Sequence, residues 1–325
     1  MRIWNGSSAN YADPAMDILI TGGTGFVGRH AIAELQRHGH TVSLLTLPGF
    51  PIPTGIPAYE ADIRDQARLA EVLRQAAPDA CLHLAGIAFV PHGWEKPVET
   101  FEVNLNGTVH LLDALREVSP HTRLLAVTSA LLYGAHPRPG PIQEEDQPLP
   151  DSVYAVSKLA ADLTVLLYAR RYGQPVMTAR PCNHIGPGQS LSFVVPSFAR
   201  QLLAIRSGKS KPVMKVGNLA STREFLDVRD VVSAYRLLLE SGEPGEAYNI
   251  SAAKSMTIQS LLDELCRLTG VHPTIEIDPE RFRPTDHQPV LASDKCRKQV
   301  GWEPRLTITE TLQAVIVEMG QAERA

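Results

Sequence analysis

A chain of 325 residues is long for one core and favours a large domain with a smaller one attached. Its net charge of −4 contains no long basic or acidic block, which argues against a nucleic-acid or membrane-surface partner. No apolar run reaches the ~20 residues of a spanning helix; Cys81, Cys182, Cys266 and Cys296 stand too far apart for a metal site and read as buried thiols of a cytoplasmic protein.

Residues 1–15 lack the basic-then-apolar order of a signal peptide and read as an extension, with Met16 as a candidate start. From there strand and helix patterns alternate. DILIT (17–21) is a short apolar run, FVGRHAIAELQRHG (26–39) has helical periodicity, and TVSLLTL (41–47) is a second strand. A third strand lies within 56–63, followed by a helix over 67–78 and a strand over 79–86. One long helix is predicted over 97–118, a fifth strand over 123–129, a helix over 154–173 and a sixth strand over 175–181. Such alternation implies an α/β fold, a doubly wound parallel sheet with helices on both faces.

After Pro181 the pattern loosens into Gly- and Pro-rich loops with helices over 194–208 and 258–270. A helix over 227–242 and a strand over 246–250 return to the main sheet. The predicted organisation is therefore a nucleotide-binding domain from 16–180 and 224–250, and a smaller discontinuous domain from 181–223 and 251–325.

TGGTGFVG (21–28) follows the first strand and opens the first helix, with Gly22, Gly25 and Gly28 spaced by three. That context needs glycine for a tight turn, for close approach of backbone to a pyrophosphate, and for close helix–strand packing. The helix N-terminus then offers free N–H groups to phosphate. The second strand ends Leu45-Thr46-Leu47-Pro48, without the carboxylate that would hydrogen-bond an adenosine ribose and repel a 2′-phosphate. NADP(H) is therefore expected over NAD(H), with Arg29 the nearest cation in sequence and Asp62-Ile63 placed to touch the adenine.

Tyr154 and Lys158 lie four apart on one helix face. A neighbouring ammonium is expected to lower the phenol pKa and make Tyr154 a usable proton donor near neutral pH. Ser129 stands at the end of the fifth strand, ahead of this pair.

Taken together, the glycine motif, Asp62-Ile63, His83-Leu84-Ala85-Gly86, Asn104 with Gly107-Thr108, Ser129, Tyr154 and Lys158 resemble the extended short-chain dehydrogenase/reductase family. Its members include sugar-nucleotide epimerases, dehydratases and reductases. The resemblance implies that Ser129, Tyr154 and Lys158 are catalytic, with Lys158 also on the nicotinamide ribose. It implies further cofactor contacts from Gly22, Thr24, Gly25, Phe26 and Val27, from Thr46, Asp62 and Ile63, and from Leu84, Ala85, Gly86 and Asn104. Thr128, Tyr154, Pro181, Asn183 and His184 complete that set.

ARPCNHIGPGQSLSFV (179–194), KVGNLASTREFLDVRD (215–230) and RPTDHQP (283–289) look like the GDP-sugar branch. By that similarity Ser129, Asn183, Val194, Lys215, Asn218, Arg223, Arg283 and Asp286 would hold the sugar nucleotide. Cys182 faces the site by position only. Dehydratases of the family carry carboxylates just after the Ser/Thr, and a related epimerase–reductase carries cysteine there; this chain has Ala130-Leu131-Leu132, none of which moves a proton. The expectation is hydride transfer alone, to a GDP-linked 4-keto-6-deoxy sugar, by a homodimer. A UDP- or dTDP-sugar 4-epimerase with bound NAD and a non-catalytic dinucleotide-binding protein are the alternatives.

Overall fold

The computed structural model describes residues 15–135, 140–281, 288 and 290–322. It opens with β1 (Asp17–Thr21), α1 (Phe26–Arg37), β2 (Thr41–Thr46), β3 (Ala58–Glu60), α2 (Gln66–Ala76) and β4 (Ala80–His83). Two short helices follow, α3 (Val90–Glu95) and α4 (Pro97–Phe101), then α5 (Gly107–Val118) and β5 (Arg123–Val127). The expected single helix over 97–118 is interrupted by a π-helical turn, Glu102–Asn106. Its inward side chain is Asn104, whose amide group bonds Ile87 and Ser157. A π-turn of this kind re-aims one side chain at the cost of helical regularity.

After β5 comes a 3₁₀ turn, Ala130–Tyr133, then α6 (Val153–Tyr172) and β6 (Val176–Pro181). Ser152 caps α6 by accepting from the Ala155 N–H, and Gly173 ends it in the left-handed conformation, φ 68°. The remaining elements are β7 (Asn183–Ile185), α7 (Val194–Arg206), β8 (Val213–Val216), β9 (Thr222–Asp227), α8 (Val228–Ser241) and β10 (Ala247–Ile250). They continue with β11 (Ser255–Thr257), α9 (Ile258–Thr269), β12 (Thr274–Ile277), α10 (Asp294–Val300) and α11 (Ile308–Ala322).

Seven parallel strands form the main sheet in the order β3-β2-β1-β4-β5-β6-β10. Both faces are covered, which is why its central strands read as continuous apolar runs. One face packs on α1 and α8 through Ile18, Ile20, Ala31, Leu35, Val231 and Leu238. The other packs on α2, α5 and α6 through Leu19, Leu69, Leu111, Leu124 and Val165. The strand order reverses between β1 and β4, so a crevice opens at their C-terminal ends, where such folds bind ligands.

A further core joins α7, α9 and α11 through Phe198, Leu202, Leu261 and Leu312. Two small sheets, β11-β9-β7 and β12-β8, lie beside it. The expected division shifts in two places. Residues 224–227 belong to β9 of a small sheet, because that strand must pair with both β7 and β11. Cys296, Val300 and Trp302 join the main core, the Trp302 indole donating to the Asp230 carbonyl at 2.9 Å. All four cysteines are free thiols; Cys81, Cys182 and Cys296 are buried and Cys266 is partly exposed.

Candidate active site

A cavity of about 1550 Å³ runs from the crevice between β1 and β4 to the second core. At its first end the chain shows backbone rather than side chain. Gly22 has φ +70°, and a Cβ there would stand 2.8 Å from the Ala85 nitrogen at the end of β4. A Cβ on Gly28 would stand 2.3 Å from the Gly23 carbonyl, so only glycine lets α1 pack this closely on the turn after β1. Gly25 is the N-cap of α1, with no side chain capping it. Thr24, Gly25, Phe26, Val27 and Gly28 all line the cavity. This cradle of glycines and open helix N–H groups fits a pyrophosphate.

At the end of β2, Leu45, Thr46 and Leu47 line the wall and present no carboxylate. Asp62, Ile63 and Arg64 lie beside them. Arg64 forks onto Asp62, with Nε 3.0 Å and 3.1 Å from the two carboxylate oxygens, and holds that carboxyl below its usual range. Arg29, the nearest cation in sequence, points elsewhere: it donates to the Gly188 carbonyl at 3.0 Å and forms no part of the wall.

The three side chains expected to be catalytic, Ser129, Tyr154 and Lys158, meet where β5 and α6 converge. Ser129 caps the 3₁₀ turn, its Oγ accepting from the Leu131 N–H at 3.2 Å, and hydrogen-bonds the Tyr154 phenol. Lys158 donates to the Val127 carbonyl at 3.0 Å. A Cβ on Gly86 would stand 3.2 Å from Lys158 Nζ, so the bare backbone there leaves room beside the ammonium. All three side chains are buried yet line the cavity.

Burial decides the protonation states. It lowers Lys158 to about 8, and with the Lys158 charge nearby it lowers His83 to about 3. The expected depression of the Tyr154 phenol is corrected: burial raises it above its ordinary value, partly offset by the Ser129 hydrogen bond. The phenol therefore holds its proton near neutral pH.

Most of the residues expected to touch ligand stand in one wall. Leu84, Ala85 and Gly86 line the cavity with Thr128, Pro181, Asn183 and His184, and on the second side Val194, Asn218 and Arg223 do so. Asn104 stands behind the wall, holding the Ile87 backbone at both N–H and carbonyl, at 2.8 Å and 3.1 Å. Lys215 is exposed on β8 and is not part of the wall. Arg283 and Asp286 lie outside the described residues.

A family model described as GDP-mannose 4,6 dehydratase matches residues 19–315. The chain belongs to this family, among the extended short-chain dehydrogenases/reductases. A curated member, GDP-6-deoxy-D-mannose reductase of Pseudomonas aeruginosa, is 37% identical over 301 residues, which is 92% of this chain and 95% of that one. The solved structure of RMD from Pseudomonas aeruginosa complexed with NADPH matches with a TM-score of 0.83 at 34% identity, covering 95% of this chain and all of the other. Thermus thermophilus UDP-glucose 4-epimerase, solved with NAD, matches with a TM-score of 0.83 at 29% identity, covering 93% and 98%.

The family pattern is silent on several residues that the cavity brings in. Phe89 and Phe193 meet edge to face across it, centroids 6.3 Å apart, from the loop after β4 and from the start of α7. Arg200, Arg281 and Gln288 also line it, and the Asn183 amide donates to Gln288 and to the Glu224 carbonyl. Phe193 and Gln288 fall inside the stretches 179–194 and 283–289, whereas Phe89, Arg200 and Arg281 lie in no motif, and only the folded chain brings them together.

Proposed function

We propose that the protein reduces the C4 ketone of GDP-4-keto-6-deoxy-D-mannose with NADPH, giving a GDP-6-deoxyhexose such as GDP-D-rhamnose. The observation that carries this reading is the pairing of the Ser129–Tyr154–Lys158 trio with Leu131 two residues beyond Ser129. The likeness to GDP-6-deoxy-D-mannose reductase supports it. When bound, the nicotinamide cofactor supplies the hydride.

The glycine cradle and the N-terminus of α1 hold the pyrophosphate, and the carboxylate-free end of β2 tolerates a 2′-phosphate. Tyr154 gives its proton to the oxygen developing on C4. Ser129 Oγ hydrogen-bonds the same oxygen, and Lys158 orients the ribose and stabilises the phenolate that Tyr154 leaves. These donors are in place before the reaction and act where charge develops. Leu131 has no proton to give or take, so neither elimination nor epimerisation beside the ketone is served at that position.

On the second side Asn183, Asn218 and Arg223 are assigned to the sugar nucleotide, with Arg283 and Asp286 on the family pattern. Guanidinium groups suit diphosphate oxygens. We also assign a homodimer, for which the exposed apolar side chains Leu163 and Leu167 on α6 and Val98 on α4 supply a surface. No described helix is long and apolar enough to cross a membrane, and a cytoplasmic location is proposed with the rest.

Two incubations test the reading. Given GDP-mannose and NADP⁺ alone, the protein is expected to form no product one water lighter. Given preformed GDP-4-keto-6-deoxy-mannose and NADPH, it is expected to consume NADPH, in preference to NADH, and release a 6-deoxy sugar nucleotide. Dehydration in the first mixture, or inactivity in the second alongside activity on a UDP- or dTDP-sugar, would overturn it.

A further inference from the structure

Beneath the turn that carries Ser129 lies a buried polar cluster that the reaction does not use directly. Arg180, in β6, forks onto Asp162 in α6, with Nε 3.1 Å from one carboxylate oxygen and Nη2 2.6 Å from the other. The Asp162 side chain is fully buried and that of Arg180 is 5% exposed. Arg180 Nη1 also donates to the Tyr133 hydroxyl at 2.7 Å and to the Glu144 carbonyl at 2.8 Å. The Tyr133 hydroxyl donates to Asn249 Oδ1 at 3.0 Å. Thr128 Oγ1 lies 3.0 Å from Asp162 Oδ1 and shares its proton between that oxygen and the Ala179 carbonyl.

The cluster grips the catalytic turn at both ends. Thr128 directly precedes Ser129, and Tyr133 closes the 3₁₀ turn that Ser129 caps. Both reach the same ion pair. Asp162 in turn sits four residues past Lys158 on α6, one helical turn away. A single buried pair thus joins the strand-end turn holding Ser129 to the helix holding Tyr154 and Lys158.

Stability alone is a poor reason for such a pair. Desolvating two charges costs several kcal/mol, and well-packed apolar side chains often replace a buried pair without loss. What apolar packing does not supply is direction. A bidentate guanidinium fixes both distance and plane.

We propose that Asp162 and Arg180 are positioning residues, which set Ser129 Oγ against the Tyr154–Lys158 pair through Thr128 and Tyr133. The assignment rests on the reading of those three side chains as the reacting groups. It requires no contact between the ion pair and any ligand.

The test removes the links and leaves the charges paired. Thr128→Val and Tyr133→Phe, singly and together, are compared with the unaltered protein for NADPH turnover, NADPH affinity by fluorescence titration, urea stability and amide hydrogen exchange over residues 130–134. Displacement of a reacting group by about 1 Å costs up to roughly 100-fold, and each single variant is expected to lower kcat by on the order of tenfold, with NADPH Kd unchanged in Tyr133→Phe, which stands outside the cavity wall. In the double variant the losses in kcat should fall short of the product of the singles, because both links hold one turn, while stability losses add. Exchange over 130–134 should quicken in every variant. A folded variant with unchanged kcat and exchange, or multiplicative kcat losses that track stability, would overturn the proposal. Turnover is read on whichever of GDP-, UDP- and dTDP-4-keto sugars the unaltered protein reduces, so a wrong nucleotide defeats the functional reading without touching this one. If none is reduced, unchanged exchange over 130–134 in the folded variants still overturns the proposal, and quickened exchange supports it.

Discussion

The two ends of the cavity are built from different materials. The cofactor end is backbone: Gly22, Gly25 and Gly28 matter for the atoms they lack, and its charges are paired at the surface, as Arg64 is with Asp62. The reacting end is buried side chain, where Ser129, Tyr154 and Lys158 stand together and a desolvation penalty moves the protonation equilibria of Tyr154 and Lys158. The first should therefore respond to added volume and hardly to pH. The second should respond to lost functional groups and to pH while cofactor binding persists.

The sharpest separation comes from Tyr154→Phe. Loss of general acid catalysis commonly costs ~10²–10⁴-fold, so kcat should fall in that range while NADPH binds nearly as before. Weakened NADPH binding to match would merge the two ends. The converse change is Gly22→Ala. A left-handed backbone costs an ordinary residue roughly 1–2 kcal/mol, and the new Cβ meets backbone at Ala85. NADPH affinity should drop by on the order of tenfold, with kcat at saturating cofactor little changed; titration and saturation kinetics read the two separately.

A smaller effect is expected from pH. Lys158 is lowered to about 8 and is charged only below that value, whereas Tyr154 is raised and stays protonated there. Reduction by the free enzyme, read as kcat/KM, should be flat from pH 6 to 7.5 and fall above about 8. NADPH Kd should show no such limb at its phosphate-binding cradle.

The smallest prediction concerns His83, which is held between Thr21, at 2.7 Å, and Thr108, at 3.1 Å. Its folded value is depressed to about 3, so between the ordinary 6.5 and 3 only the unfolded chain takes the proton. Stability is fully present above 6.5 and is lost as pH falls through that window. By about pH 5 this amounts to roughly 2 kcal/mol. Urea unfolding at pH 7 and 5 should show that excess acid loss in the unaltered protein and not in His83→Gln.

What could be read in the sequence follows the same division. The cradle is local: strand, three glycines and helix lie within residues 17–37, so pattern alone locates it. Ser129, Tyr154 and Lys158 were legible as a family constellation. Their protonation was not, because the Tyr154 phenol answers to burial, which depends on the whole fold. Asn104 illustrates the limit well. Its place in the motif suggested ligand contact, yet the π-turn swings its amide onto Ile87 and Ser157, and helical periodicity gives no sign of an inserted residue. Arg29 is close to the second strand in sequence but is drawn to Gly188, a residue 159 positions away. The same distance problem hides Gln288 and Arg200, which reach the cavity only after the second core has formed.

The central claim is that the site transfers a hydride and moves no carbon-bound proton. It is met most directly by running the reduction in D₂O with unlabelled NADPH, and in H₂O with NADPH deuterated at the transferred position, and locating the label by NMR. One deuterium at C4 from the cofactor, and none on carbon from solvent above the enzyme-free control, is the expected result. Solvent deuterium at C3 or C5 would contradict it, since a residue other than Leu131 would then have to move a carbon-bound proton.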